Sequence, residues 1–174
     1  MIILGIDPGL ATVGYAVLKT IIPANKKQDR NEKPKVLDFG CITTSAAWTP
    51  GERLVKINKE ILSLIEIHDP DIISVESLFF FKNVKTAMPV SQAKGVILFT
   101  AAKKNIAIVE FTPLQVKMTM TGHGRAEKSQ VQAMTKQLLD LSAFDNKHKD
   151  RKKDDAADAL GVALCAVLHH KHSL

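Results

Sequence analysis

The sequence predicts an α/β protein, a mixed five-stranded sheet flanked by helices. Three observations carry this. Short apolar runs at Ile2–Ile6, Ile72–Val75 and Ile106–Phe111 read as buried strands. Leu54, Ile57, Ile61, Leu62, Leu64 and Ile65 recur at helical spacing between two such runs. The resulting order, three consecutive strands and then alternating helices and strands, fits an antiparallel meander extended by parallel crossovers.

Taken in order, residues 2–7 form the first strand and Asp7-Pro8-Gly9 a turn. The second strand starts at Gly14-Tyr15-Ala16-Val17-Leu18. Residues 21–35 are polar with two prolines and predict a long, partly mobile hairpin loop before the third strand, Val36–Thr43. A helix over 50–68 leads to Ile72–Glu76, entered through Pro70. A helix within 86–104 follows, from Thr86 or Ser91 to Lys104, with Pro89 admissible only in its first turn or ahead of its start. After strand 106–111, Thr112 and Pro113 suit the cap and first position of a short helix. Thr121–Arg125 is a glycine-containing loop, 127–139 a helix and 140–153 a charged connector. The last helix runs from Asp154 to His170. No repeat or second-domain boundary interrupts residues 1–174, so one domain is expected.

Composition narrows the class. At 45% hydrophobic the chain suits a folded core rather than disorder. No apolar stretch approaches the roughly 18–20 residues that span a bilayer, and the start lacks a basic leader, so a cytoplasmic protein is expected. Cys41 and Cys165 lie in apolar surroundings without CxxC spacing, the pattern of reduced core thiols. A net charge of +6 favours polyanionic partners. Lys147, Lys149, Arg151, Lys152 and Lys153 stand just before the last helix, where they suit a solvated loop equally well.

The chemistry lies in the acids. Asp7 and Glu76 each end an apolar strand, and a carboxylate there is costly without a partner. Asp155 and Asp158, at i and i+3, share one face of the last helix, whereas Asp154 is expected to point elsewhere. Singly, each has a plainer reading: Asp7 as a turn residue, the pair as complements to the helix dipole. Together, four distant carboxylates suggest a hard divalent cation such as Mg²⁺. Two such ions roughly 3.5–4 Å apart suit phosphodiester hydrolysis.

Ile6-Asp7-Pro8-Gly9-Leu10-Ala11-Thr12-Val13-Gly14-Tyr15, Val75-Glu76-Ser77-Leu78-Phe79, Lys128-Ser129-Gln130-Val131 and Asp155-Ala156-Ala157-Asp158-Ala159-Leu160 together resemble the RuvC crossover (Holliday) junction endonucleases. The similarity spans nearly the whole chain. It implies an RNase H-like fold and a homodimer that nicks two opposing strands of a four-way DNA junction. It further implies Mg²⁺, with Mn²⁺ as a substitute and two ions per site, and cooperation with the RuvA–RuvB branch-migration complex. By motif match, Asp7, Glu76, Asp155 and Asp158 take the catalytic acid positions. Phe79 falls where the family places a base-stacking aromatic, although Leu78-Phe79-Phe80-Phe81 also suits a core or dimer patch. Lys117 and Lys128 match lysines near the junction backbone, and Lys82, Lys85 and Arg125 are further candidates for DNA contact; solvated side chains are the alternative for each.

Three other readings are open to test. A related nuclease would act on RNA–DNA hybrids or single strands. A nucleotide-binding protein of the actin and sugar-kinase type would need a second phosphate loop and a second domain, and this chain has neither. A junction-binding module without chemistry would not need all four acids.

Overall fold

The computed structural model describes residues 1–20, 33–77, 84–139, 141 and 154–172, with 84–86 and 171–172 described as backbone only. The described strands are β1 (Ile2–Asp7), β2 (Thr12–Lys19), β3 (Lys35–Thr43), β4 (Ile72–Glu76) and β5 (Ala107–Phe111). The helices are α1 (Pro50–His68), α2 (Val84–Lys103), α3 (Pro113–Thr121), α4 (Lys128–Leu138) and α5 (Asp154–His172). The expected α/β class and element order hold.

The sheet order is β3-β2-β1-β4-β5, with β1 at its centre. β1, β2 and β3 pair antiparallel; β1, β4 and β5 pair parallel. Alternation then sorts the side chains. Leu4, Ile6, Val13, Val17, Ile73 and Val75 pack against Ile57 and Ile61 of α1 and Ile97 of α2. Ile3, Ala16 and Leu18 face the opposite way, toward Ala159, Ala163 and Leu164 of α5, with Val116 and Met120 of α3 behind. Both faces are therefore covered.

Two glycines let α5 lie close on the sheet. A Cβ on Gly5 would stand 2.5 Å from the Ala163 Cβ and 2.6 Å from the Ala159 carbonyl oxygen. One on Gly14 would collide with the Asp155 carbonyl. Ser74 adds a polar tie, its hydroxyl donating to the Val162 carbonyl at 3.1 Å.

The helix ends follow their caps. Thr49 and Glu52 form a capping box at α1, with Pro50 in the first turn. Thr112 and Gln115 do the same for α3, which ends on Gly122 at φ 70°. The start of α2 corrects the expectation from sequence. The helix begins at Val84, so Pro89 sits in its second turn, inside the helix. Proline at 89 removes one backbone donor there, and the apolar packing of Ala93, Ile97 and Ala101 sustains the helix beyond it.

Cys165 is buried, Cys41 half-buried, and neither forms a disulfide. No helix among the described residues is long and apolar enough to cross a membrane. Residues 21–32 of the expected hairpin loop, and the 140–153 connector except Leu141, lie outside the described residues.

Candidate active site

Asp7 and Glu76 are the last residues of neighbouring parallel strands, one step beyond the Ile6–Val75 pair in register. On each strand they share the α5-facing side, with Gly5 and Ile3 before Asp7 and Ser74 before Glu76. A sheet tip beneath a helix terminus thus receives acids from three separate stretches of chain.

The electrostatics show how tightly they crowd. Asp7 has its pKa pushed up to about 8. Burial is the largest cause; the charge of Glu76, that of Asp158, a hydrogen bond to Glu76 and the charge of Asp155 follow. The Glu76 pKa is also raised, by burial first, despite the hydrogen bond from Asp7 and the Lys128 charge that pull it down. Burial raises both carboxyls, and at Asp7 the neighbouring charges of Glu76, Asp158 and Asp155 add to it, so full ionisation of this sheet tip is disfavoured. Burial likewise lifts the Asp158 carboxyl, against the opposing pull of Lys128.

Lys128, at the start of α4, supplies the compensating charge. Its Nζ donates to Asp158 Oδ2 at 2.7 Å and stands 3.6 Å from Asp154 Oδ2. Burial works against the ammonium, but the bond to Asp158 and the fields of Asp158 and Asp154 outweigh it and raise its pKa. Asp154 therefore does not point away as expected. Residues i and i+4 share a helix face, and Asp154 joins Asp158 in flanking the same lysine. Lys128, read from sequence as a contact for the DNA backbone or a solvated side chain, here bonds an acid of the cluster. A contact across thirty residues of sequence left no local signal.

Asp155 bears on Asp7 through its charge. Among the described residues, no three of these side chains stand in a ready-made metal-holding arrangement. The donor chemistry nevertheless fits a hard cation: the groups are all carboxylates. Their repulsion is offset by the raised Asp7 carboxyl, which holds its proton to about pH 8, and by the ammonium on Asp158, and a divalent ion could replace both.

The remaining candidates spread outward. Lys117 is half-buried on α3, and Arg125 is exposed in the loop between α3 and α4. His123 belongs to that loop too, its amide donating to the Thr121 hydroxyl at 3.2 Å. Phe79 and Lys82 lie outside the described residues, and Lys85 belongs to α2 with only its backbone described. Sequence reasoning passed over Gly5, whose missing side chain lets α5 reach the acids. The available signal was its position between Ile3 and Asp7 on one strand face, opposite a helix rich in alanine.

Strand order and acids at the tips of β1 and β4 beneath α5 define the class, an RNase H-like nuclease. A family model described as crossover junction endodeoxyribonuclease RuvC matches residues 3–166. The crossover junction endodeoxyribonuclease RuvC of Caldicellulosiruptor saccharolyticus is 43% identical over 168 residues, covering 97% of this chain and 93% of the relative. That of Alkaliphilus oremlandii is 46% identical over 173 residues, covering 99% and 94%. The structure of Thermus thermophilus RuvC in complex with a Holliday junction substrate superposes with a TM-score of 0.83 at 26% identity, over 99% of this chain and 96% of that one. The chain belongs to the RuvC family of crossover junction endodeoxyribonucleases.

Proposed function

We propose that this protein resolves four-way DNA junctions by nicking two opposing strands, with Mg²⁺ held by Asp7, Glu76, Asp155 and Asp158. The observation that carries the reading is Asp7 buried at one sheet tip beside Glu76 and Asp158, where burial first and the neighbouring acids next lift its pKa to about 8. So large an electrostatic cost is characteristic of a functional site. Full-length similarity to junction endonucleases supports the choice of substrate.

A divalent cation bound there supplies Lewis-acid charge, which makes water a competent nucleophile at neutral pH and offsets negative charge on the reacting phosphate. The chain does the rest. Asp7, Glu76, Asp155 and Asp158 would hold the cation as carboxylates, and Asp7 would have to lose the proton it keeps to about pH 8. Gly5 and Gly14 keep α5 close enough for Asp155 and Asp158 to face them. Lys128 exchanges Asp158 for a backbone phosphate, and Lys117 and Arg125 neutralise further phosphates. Water attacks phosphorus in line and leaves 5′-phosphate and 3′-hydroxyl ends. Phe79, Lys82 and Lys85 extend the DNA contact from the segment after Glu76.

Two ions per site, Mn²⁺ as a substitute, a cytoplasmic location and cooperation with RuvA–RuvB complete the proposal. So do a single domain over residues 1–174 and a C2 homodimer, which would present two sites to symmetry-related strands and so make paired cuts. The test is cleavage of a mobile junction beside duplex, RNA–DNA hybrid and flap substrates, with and without Mg²⁺. Mg²⁺-dependent cutting confined to the junction is expected. Preferred cutting of the hybrid, or junction binding without cutting, refutes the proposal.

A further inference from the structure

We propose that Arg53 is a positioning residue for Asp7, acting through Thr44 on the turn between β1 and β2. The inference rests on the reading of Asp7 as a cation ligand. Arg53 lies in the first turn of α1, half-buried. Its Nε donates to Thr44 Oγ1 at 2.7 Å. That hydroxyl donates in turn to the Leu10 carbonyl at 2.6 Å. The Thr44 amide donates to the next carbonyl, Ala11, at 3.0 Å. Three bonds thus run from a helix, across the exit of β3, into the turn that leaves Asp7.

Each link has a direction. The Thr44 hydroxyl has one proton and gives it to Leu10, so it faces Arg53 as an acceptor. The guanidinium can only donate, and its planar frame fixes where Nε points. Chained in one sense, such bonds polarise and strengthen one another. The anchored end is firm. Thr49 and Glu52 cap α1 reciprocally, the Thr49 amide donating to Glu52 at 2.7 Å, and Ile57 and Ile61 bury the following turns.

The far end needs holding. Asp7 is the last residue of β1 and pairs with Gly14, and β2 begins at Thr12, leaving Pro8–Ala11 to reverse the chain within a short span. A Cβ on Gly9 would collide with the Thr12 carbonyl, so this reversal is tight. Leu10 inserts its side chain into the core shared with α1. Thr44 fixes the carbonyls at Leu10 and Ala11, and Arg53 fixes Thr44. A carboxylate that must meet Glu76 and Asp158 tolerates little drift, since about 1 Å of misplacement can cost on the order of a hundredfold in rate.

The test uses the full-length protein and the variants Arg53→Met, Thr44→Val, their combination, and Thr44→Ser, which keeps the hydroxyl. Single-turnover cleavage of a four-way junction at saturating enzyme and Mg²⁺ reads the site. Junction Kd and hydrogen exchange of the residue-44 amide, measured without metal, read DNA contact and the turn. Arg53→Met and Thr44→Val should each slow cleavage roughly ten- to a hundredfold, leave Kd within about twofold, and speed exchange at residue 44. Thr44→Ser should match wild type, and the double variant should cut no more slowly than Thr44→Val alone. Wild-type cleavage in either single variant overturns the proposal, even with faster exchange. So does a loss confined to Kd, which would make Arg53 a DNA contact, or multiplied losses in the double variant. Where Arg53→Met does not fold, Thr44→Val carries the test alone, and wild-type cleavage by it is likewise fatal. Failure of the underlying reading is separate: it shows as cleavage by Asp7→Asn with the Arg53 results unchanged.

Discussion

Replacing Asp7 by asparagine should stabilise the metal-free protein while abolishing its activity, and the size of the gain should depend on pH. The Asp7 carboxyl rises from 3.8 to about 8 on folding. In the unfolded chain it ionises near pH 4, whereas the folded protein keeps the proton until about pH 8. The folded state therefore binds more protons through this window, and wild-type stability falls as pH rises across it. Above about pH 8 the loss is complete. Each unit of pH costs about 1.36 kcal/mol inside the window, so between pH 5 and pH 8 the advantage of asparagine grows by at most about 4 kcal/mol. Coupling to Glu76 divides the titration, and about half that figure, ~2 kcal/mol, is expected. For a chain of 174 residues this is a Tm advantage that widens by about 4–8 °C. Denaturation in EDTA at pH 5, 6.5 and 8 measures it directly. An advantage that is flat or shrinks as pH rises would refute the electrostatic reasoning, and any cutting by the variant would refute the role of Asp7.

Three further expectations follow from the same geometry. Apparent Mg²⁺ affinity, read by calorimetry, should rise with pH up to about 8, approaching tenfold per unit as the ion displaces the Asp7 proton, then level off; pH-independent binding would contradict this. Gly5→Ala places a methyl against Ala163, so α5 must lift; a stability loss of about 1–3 kcal/mol and a fall in cleavage rate are expected, and a variant as stable and active as wild type would contradict the packing. Lys128→Met should weaken junction binding by a similar factor on every sequence tested and reduce the salt slope of log K by about 1. An unchanged slope would remove Lys128 from phosphate contact.

Much of this architecture was legible from the chain alone because the relevant forces are local. Apolar runs bounded by Pro8-Gly9 and Pro70 marked strands, and Thr112-Pro113 marked a helix start through capping that needs only adjacent residues. Asp7 and Glu76 stood out because a charge ending a buried strand costs free energy wherever the strand goes. Pro89 misled, because proline's penalty was weighed against the isolated helix and not against the core that Ala93 and Ile97 fill. The Lys128–Asp158 bond and the Arg53–Thr44–Leu10 chain were invisible for a different reason. Their partners lie far apart in sequence or on separate elements, and only the folded register brings them together.

The proposed function depends on four acids acting as one cation site. Its most direct test is Mg²⁺-dependent cleavage of a synthetic four-way junction by Asp7→Asn, Glu76→Gln, Asp155→Asn and Asp158→Asn, with junction binding measured in parallel. Each variant should bind the junction and fail to cut it. Wild-type cutting by any one would remove that residue from the site and break the claim.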